Sequence, residues 1–248
     1  MSVSIADIRR AADLIAGSVV RTPTIRSGPL SDLLGANIYL KLETMQRTGS
    51  FKDRGALVKL MSLTADEKKR GVIAVSAGNH AQGVAYHAQR LGIPATIVMP
   101  EGTPFTKVRR TRGFGAQIVL QGDSVNAIEL FALERAARDR LTFVHPYNDE
   151  KIISGQGTAG LEILDDVPGL DAIIVPIGGG GIISGIATVT KAIKPDIEII
   201  GVEADLYPSL FNALHGLDTP VGGSSIAEGI AIKSPGDITL DIVRRLVD

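Results

Sequence analysis

The sequence predicts an α/β protein built on mainly parallel sheets with helices on both faces. Two observations support this fold class. Between residues 71 and 144, short apolar runs alternate with helical patterns, which is the order that parallel strands and their crossover helices produce. A further apolar strand at 172–177 leads through a run of glycines into another helix. The 248 residues are enough for one large domain or two small ones.

Composition argues against several classes of function. A net charge of −1 gives no electrostatic case for binding nucleic acid or an anionic membrane. The chain has no cysteine, which excludes disulfides and thiol catalysis and fits a reducing cytoplasm. The first residues lack the basic and apolar regions of a signal peptide. No apolar run approaches the roughly 18 residues that a membrane span needs.

The N-terminal part of the chain is predicted to form a helix, an extended segment and a strand. Apolar residues recur at helical spacing from residue 5 until a glycine at 17. Residues 19–33 are rich in proline, serine and threonine and favour extended chain, with a short helix at 31–34. Alternating side chains over 37–43 predict a strand.

From residue 71 onward, strands and helices alternate along the chain. Strands are predicted at 72–75, 95–99, 116–120, 141–144, 172–177 and 197–203. Helices are predicted at about 80–91, 105–113, 124–140, 152–164, 182–193, 209–215 and 238–247.

One lysine, Lys52, lies in a local sequence that favours a free amine. Gly49 and Ser50 predict a turn and a helix cap just before a helical pattern begins. Phe51 can exclude water from one side of the lysine, and a nearby helix N-terminus disfavours the ammonium form. Most lysines are solvated surface charges, but a deprotonated one is a nucleophile toward carbonyls. Lys52 is therefore a candidate catalytic residue.

A predicted strand ends in four consecutive glycines, Gly178, Gly179, Gly180 and Gly181. Backbone N–H groups at such a strand-to-helix turn can hold a phosphate, because no side chain blocks its approach. A dinucleotide fingerprint would need glycine at position 183, where the chain has Ile183. Glu203 nevertheless ends the next strand, where a ribose-binding acid would lie. A nucleotide-binding oxidoreductase therefore stays open as an alternative.

A second strand-to-helix turn consists of Ser76, Ala77, Gly78, Asn79 and His80. Its N–H groups and hydroxyl could hold a carboxylate, and Asn79 could donate a hydrogen bond to a ring oxygen. The turn also resembles the nucleophile elbow of hydrolases, with alanine replacing the first glycine. That interpretation is weaker, because His145 and His215, the only later histidines, lie in no recognisable motif.

These motifs, together with Gly155–Gln156–Gly157–Thr158, resemble the fold-type II pyridoxal-phosphate enzymes. The greatest resemblance is to the threonine/serine ammonia-lyase (threonine dehydratase) family, with serine racemase close to it, and it runs from about residue 5 to the end. It implies two three-layer αβα domains of the tryptophan synthase β-like fold with mainly parallel sheets. Residues 1–64 and 149–248 would form a large cofactor-binding domain, and residues 65–148 a small α/β domain.

The resemblance implies how pyridoxal 5'-phosphate would be bound. Lys52 would attach to the cofactor covalently and move the α-proton of the substrate, with Phe51 beside the ring. Asn79 would donate a hydrogen bond to the phenolic oxygen of the cofactor. The four glycines and the N–H of Ile182 would bind its phosphate.

The resemblance also implies sites for substrate and cation. Ser50 and the turn of residues 76–80 would hold the carboxylate of a small amino acid. Glu203 matches a position that binds a monovalent or divalent cation in the family, and the second ligand position falls on Ser209.

The implied reaction is β-elimination of water from L-threonine or L-serine, giving ammonia and 2-oxobutanoate or pyruvate. Racemases of this family have a serine where this chain has Ala77, so little racemisation is expected. The resemblance favours a homodimer. The catalytic unit of the family continues beyond the length of this chain and supplies a contact to the pyridine nitrogen, so we expect weak cofactor retention and poor activity of residues 1–248 alone.

Overall fold

The computed structural model describes residues 3–123 and 125–248 of the chain. Its helices are α1 Ile5–Ile15, α2 Gly28–Leu34, α3 Lys52–Met61, α4 Ala65–Arg70, α5 Asn79–Leu91, α6 Phe105–Arg112, α7 Val125–Asp139, α8 Glu150–Asp166, α9 Gly181–Ile193, α10 Ser209–His215 and α11 Asp237–Leu246. Its strands are β1 Thr24–Arg26, β2 Tyr39–Lys41, β3 Val72–Val75, β4 Ala95–Met99, β5 Gln117–Leu120, β6 Thr142–Phe143, β7 Ala172–Pro176 and β8 Glu198–Val202.

The sheets confirm the predicted α/β class. Strands β5, β4, β3 and β6 form, in that order, a parallel sheet, and β7 pairs with β8 in parallel. Strands β1 and β2 form an antiparallel pair. Because parallel strands end at the same edge of a sheet, the turns that follow β3 and β6 lie close together. These turns are residues 76–80 and 144–148.

Helices cover both faces of the four-stranded sheet. Val72 and Ala74 of β3 belong to the same apolar cluster as the buried residues of α5. Ile73, between them, points to the opposite face and packs with Ile128 and Ala132 of α7. This alternation explains why β3 reads as a continuous apolar run, since both of its faces are buried.

A separate core lies under strands β7 and β8. Ile173 and Val175 of β7 point inward and pack with Ile183 and Ile186 of α9. Ile174 points to the opposite face and is 64% exposed. Within the described residues, none of the helices combines the length and apolar character needed to cross a membrane.

Three elements differ from the sequence-based expectation or lie partly outside the description. Helix α2 begins at Gly28 rather than at residue 31, because the Ser27 side chain accepts a hydrogen bond from the first turn. Helix α4 was not predicted, although Thr64 and Glu67 form a capping box there. Ser124, the predicted start of α7, lies outside the described residues.

Candidate active site

The candidate site lies where the ends of β3, β6 and β7 meet the first turn of α3. The segment 145–148, which follows β6, connects its two halves. Pro146 contacts Lys52, and Tyr147 contacts Gly179 and Gly181. The predicted lysine and the predicted glycine run are therefore brought to opposite sides of two consecutive residues.

Lys52 begins helix α3 rather than standing in the turn before it. Phe51 is the capping residue and makes no side-chain cap bond, so the cap predicted at Ser50 is wrong. Ser50 still contributes, because its Oγ accepts a hydrogen bond from the Lys52 N–H at 3.3 Å. Gly49, with φ +85°, makes the turn that leads into the helix. This local structure presents the lysine at a helix N-terminus, as the sequence predicts.

The Lys52 amine lies in surroundings that favour its neutral form. Although part of the residue is exposed, burial of the amine lowers the pKa of Lys52 to about 8. Its Nζ donates a hydrogen bond to the Pro146 carbonyl oxygen at 2.6 Å and lies 5.3 Å from the centre of the Phe51 ring. With this pKa, about a tenth of the amine is deprotonated at pH 7. Lys52 can therefore act both as a nucleophile and as a proton carrier near neutral pH.

The glycine run forms a cradle that tolerates no side chain at its centre. Gly180, with φ +89°, caps helix α9, whose first N–H groups are those of Gly181 and Ile182. A Cβ atom on Gly179 would lie 2.2 Å from the Tyr147 ring. A Cβ on Gly180 would lie 2.8 Å from Thr239 Cβ. Free N–H groups at the start of a 13-residue helix provide a site for an anion.

His80 does not point its side chain into a carboxylate cup. It is buried, and its Nε2 lies 2.9 Å from the Val144 carbonyl oxygen. Because a carbonyl only accepts hydrogen bonds, the proton belongs on Nε2 and Nδ1 is a bare acceptor. Burial, and secondly the charge of Lys52, lower the pKa of His80 to about 3, so the ring is neutral. A carboxylate would have to be held by the backbone of this turn rather than by the His80 ring.

The rest of this turn joins β3 to α5. Helix α5 begins at Asn79, and the Gly78 N–H donates to Ser76 Oγ at 3.1 Å. The Ala77 methyl group lies in the same turn and packs against the apolar cluster of the four-stranded sheet. A Cβ on Gly229 would lie 4.0 Å from Asn79 Nδ2, so the segment 228–232 closes over this turn.

Two parts of the site were not found from the sequence. In the segment 145–148, His145 Nδ1 accepts the N–H groups of Tyr147 and Asn148, which shapes the turn, and Asn148 Oδ1 accepts the Ile238 N–H. The segment 228–232 contacts Gly178 and approaches Asn79. The sequence contained a usable signal only for the segment 145–148. This segment follows β6, whose neighbour β3 leads into the turn of residues 76–80, and neighbouring parallel strands end at the same edge of a sheet.

Glu203 caps a helix in this structure. Its carboxylate accepts hydrogen bonds from the N–H groups of Leu210 and Phe211, at 2.9 and 2.8 Å, at the start of α10. Ser209 Oγ lies 3.5 Å from the same carboxylate. The two positions that the family resemblance implies as cation ligands are therefore neighbours in the structure. Among the described residues, no group of three or more acidic, histidine or cysteine side chains could hold a metal ion.

This fold and site define a class of protein. Residues 15–248 match the family model described as "Pyridoxal-phosphate dependent enzyme". The chain belongs to that family, and the predicted fold-type II architecture is confirmed. The alternatives of a nucleotide-binding oxidoreductase and of a hydrolase lose their support.

Particular relatives narrow the class. The chain is 45% identical to the L-threonine ammonia-lyase of Thermotoga maritima, over 99% of this chain and 62% of that protein. It is 47% identical to the L-threonine dehydratase catabolic TdcB of Staphylococcus aureus, over 99% of this chain and 72% of that protein. The structure of maize serine racemase matches with a TM-score of 0.93 and 36% identity, over 100% of this chain and 77% of that one. The chain thus spans about three fifths to three quarters of these relatives.

The residues present fit pyridoxal phosphate. A buried amine of lowered pKa suits an aldehyde, and the glycine cradle at the start of α9 suits a phosphate. The Asn79 side chain, at the start of α5, is available for a ring substituent, and His80 Nδ1 is a buried acceptor without a partner in the described part of the chain. Lys52 contacts Pro146 and the glycine run contacts Tyr147, so the amine and the cradle meet at consecutive residues.

We expect Gly179→Ala to weaken cofactor binding severely. The added methyl group would overlap the Tyr147 ring, so the glycine run or the segment 145–148 must move. An increase of at least about tenfold in the dissociation constant for pyridoxal phosphate is expected, measured by fluorescence titration. Gly169→Ala is a matched control, because nothing lies within 4 Å of its added Cβ. Equal affinities of the two variants would contradict the expectation.

Proposed function

We propose that this chain carries the lysine-centred site of a threonine ammonia-lyase, which eliminates water from L-threonine, and from L-serine, to give ammonia and 2-oxobutanoate or pyruvate. The observation that carries the proposal is the Lys52 amine of lowered pKa, held at 2.6 Å from the Pro146 carbonyl beside the glycine cradle. The names of the Thermotoga and Staphylococcus relatives support it.

We assign the following roles to groups of this chain. Lys52 would hold the cofactor through its Nζ, and once the substrate amine has taken that place, the freed Nζ would take the α-proton of the substrate and return a proton later. The N–H groups at the start of α9, from the glycine run to Ile182, hold the phosphate, while Phe51 flanks the ring and Asn79 donates to its phenolic oxygen. Ser50 and the backbone of residues 76–80 hold the substrate carboxylate.

When bound, pyridoxal phosphate supplies an electron sink that acidifies the α-hydrogen of the substrate. The protein supplies position and exclusion of water. The segment 228–232 closes the side next to Asn79 and Gly178, and Tyr147 closes the side next to Gly179. Water lost from the substrate is regained when ammonia leaves, so the net change is release of ammonia from threonine.

The test is 2-oxobutanoate formation from L-threonine by protein loaded with pyridoxal phosphate. Threonine-dependent production of 2-oxobutanoate and ammonia in equal amounts is expected. Cofactor binding without any product would replace the proposal with a protein that only binds cofactor. Absence of cofactor binding would overturn it entirely.

A serine racemase remains the second candidate, because maize serine racemase is a structural relative. Racemisation needs a group that can exchange a proton on the opposite face of the substrate from Lys52, and the Ala77 methyl group cannot do so. We therefore expect D-serine formation from L-serine to be at least about a hundredfold slower than pyruvate formation, as measured by chiral chromatography. Comparable rates would favour the racemase.

The domain division and the cation are further parts of the proposal. We propose that residues 65–148 form a small domain, because they contain the whole four-stranded sheet, and that residues 1–64 and 149–248 form the large one. A monovalent or divalent cation is proposed at Glu203 with neighbouring carbonyl groups. The Glu203 carboxylate now accepts hydrogen bonds from two N–H groups at the start of α10. A cation that binds to this carboxylate should therefore displace these hydrogen bonds.

We propose a cytoplasmic homodimer and assign its contact to an apolar surface formed by α2, β1 and β2. Ile25 and Leu40 lie directly opposite each other on the antiparallel pair, and both are exposed. The other face of this pair is turned to the body of the protein, since Lys41 pairs with Glu162 at 2.7 Å. This surface consists of the exposed large side chains of Ile25, Leu30, Leu33, Leu34 and Leu40.

Helix α2 supplies three of the five side chains of this surface. Leu30, Leu33 and Leu34 share one face of α2, with Leu33 at 77% exposure.

We expect Leu33→Asp to convert the dimer to a monomer. A buried unpaired carboxylate on each side of the contact would oppose association. Sedimentation velocity across a range of concentrations measures the result. Ile226→Asp is the matched control, because Ile226 is fully exposed elsewhere and should leave the dimer intact. A dimer that survives Leu33→Asp would place the contact on another surface.

A further inference from the structure

A buried acid–histidine pair lies directly behind the reactive lysine. Asp53 follows Lys52 in α3, and His87 belongs to α5. Both side chains are buried, and His87 Nε2 lies 3.9 Å from Asp53 Oδ1. Neither ring nitrogen of His87 has a hydrogen-bond partner in the part of the chain that the structure describes. Buried polar atoms without partners are costly, so this pair calls for an explanation.

Asp53 holds the turn that presents Lys52. Its Oδ2 accepts the Thr48 N–H at 3.1 Å, and its Oδ1 accepts the Thr48 hydroxyl. The Asp53 carboxylate therefore stabilises the turn of residues 48–52, and each of its two oxygens accepts a hydrogen bond from Thr48. It cannot rotate toward His87 without releasing Thr48, so any closer approach requires movement of α5.

One face of α5 runs along this part of the site. Asn79, Gly83 and His87 follow each other at intervals of four residues and so lie on the same face of the helix. A Cβ on Gly83 would lie 3.2 Å from the Lys52 carbonyl oxygen, so the helix touches the backbone of the lysine there. His87, one turn further on, reaches Asp53. The same helix face thus carries the amide proposed to contact the cofactor ring.

We infer that Asp53 and His87 are a positioning pair, through which α5 is held against the turn of residues 48–52 and Asn79 is kept at a fixed distance from Lys52. This inference rests on the proposed function, since it concerns the spacing of two groups that would hold one cofactor. Under the proposed domain division it is also a contact between the two domains.

The chemistry of the pair fits this role. Burial, and secondly the charge of Arg90, lower the pKa of His87 to about 4, so its ring is neutral and has one N–H to donate. Asp53 is an acceptor that Thr48 already holds in place. A shift of α5 by about 1 Å toward α3 would bring the two within hydrogen-bond distance, because such bonds span about 2.7–3.2 Å. That bond would satisfy one of the orphan nitrogens.

The first test uses protein without cofactor and measures amide hydrogen exchange. We expect His87→Leu to speed exchange of the Thr48 N–H by about tenfold, the factor that loss of one hydrogen bond supports. His87→Gln, which keeps an amide donor in the same place, should restore part of the protection. His215→Leu is the control, since His215 is exposed at the end of α10. Unchanged exchange in His87→Leu would overturn the inference.

The second test measures the cofactor site itself. His87→Leu and Asp53→Asn should each raise the dissociation constant for pyridoxal phosphate about tenfold. Each should also shift the pH midpoint of the visible absorbance in the direction that Asn79→Ala shifts it. Asparagine replaces one of the two accepting oxygens with an NH2 group, so the pair of oxygens that now accepts the two donors of Thr48 is lost.

The outcomes separate this inference from the proposed function. If these variants unfolded more easily but kept the wild-type affinity for pyridoxal phosphate and the wild-type absorbance midpoint, the pair would contribute only packing. That result would overturn this inference and leave the proposed function intact. Wild-type protein that binds no pyridoxal phosphate would overturn the proposed function, while the exchange measurement on the cofactor-free protein would still decide whether His87 holds the turn.

Discussion

Lys52→Ala is expected to abolish both the covalent attachment of pyridoxal phosphate and the formation of 2-oxobutanoate, with a loss of activity of at least about a thousandfold. Among the described residues, Lys52 is the lysine whose amine lies 2.6 Å from the Pro146 carbonyl oxygen and beside the Phe51 ring, so no other described lysine is placed to replace it. The measurements are the visible absorbance of the bound cofactor and mass spectrometry after reduction with borohydride.

A matched control distinguishes the loss of the Lys52 amine from the loss of a lysine elsewhere on the protein. Lys69 is an exposed residue of α4, and Lys69→Ala should keep wild-type absorbance and activity. Lys52→Ala should still bind the cofactor weakly through the glycine run. A reduced adduct on another lysine, with activity retained, would show that the wrong residue has been assigned.

The pH dependence of attachment follows from the lowered pKa of Lys52. Only the free amine attacks an aldehyde, and burial lowers the pKa of Lys52 to about 8. The rate of attachment of pyridoxal phosphate to the cofactor-free protein should therefore rise with pH and level off above about pH 8. A midpoint near the usual lysine value of about 10.4 would show that the amine is solvated.

Local patterns predicted much of this fold and part of the site. Strands such as β3 and β7 are runs of apolar residues that are recognisable without knowledge of their neighbours. The lysine turn and the glycine run are also local, because a turn, a helix start and a missing Cβ depend on adjacent residues. The structure places these two motifs on either side of Pro146 and Tyr147.

The remaining features depend on contacts between distant parts of the chain. The Pro146 carbonyl accepts a hydrogen bond from a lysine 94 residues away, and a proline carbonyl has no sequence signature. His80 looked like a polar group of the anion cup, but tertiary packing turns it toward Val144. The Asp53–His87 pair could not be predicted either, because it requires the packing of α3 against α5.

Arg54→Met is expected to lower the free energy of unfolding by about 3–5 kcal/mol. Arg54 is completely buried, and its guanidinium pairs with Glu43 at 2.8 Å and with Glu162 at 2.7 Å. Methionine fills similar space but leaves two largely buried carboxylates without their shared partner. Urea denaturation of the cofactor-free protein measures the change, with Arg10→Met as control for an exposed pair, where little effect is expected.

The same substitution has a predictable pH dependence. Burial tends to raise the pKa of Glu43, but hydrogen bonds and charge from Arg54, with help from Thr22 and Gln46, lower it below its usual value. A carboxylate with a lowered pKa stabilises the fold above its unfolded pKa, and this contribution is lost as the pH falls through the folded value. In Arg54→Met, only the smaller effects of Thr22 and Gln46 would oppose burial, so the pKa of Glu43 should rise. The stability difference from wild type should therefore be largest at neutral pH and shrink toward acid pH.

A compensating variant tests whether the unpaired charges cause the loss. Adding Glu43→Gln and Glu162→Gln to Arg54→Met removes the charges that the substitution leaves unpaired, and should recover much of the stability at neutral pH. Lys41, which contacts Glu162 at 2.7 Å, would then lose one partner but keep Asp166. If the triple variant were no more stable than Arg54→Met, Arg54 would stabilise the fold by filling space rather than by neutralising the two carboxylates. Because Arg54 lies two residues after Lys52 and joins α3 to α8, a loosened Arg54 site should also weaken cofactor retention.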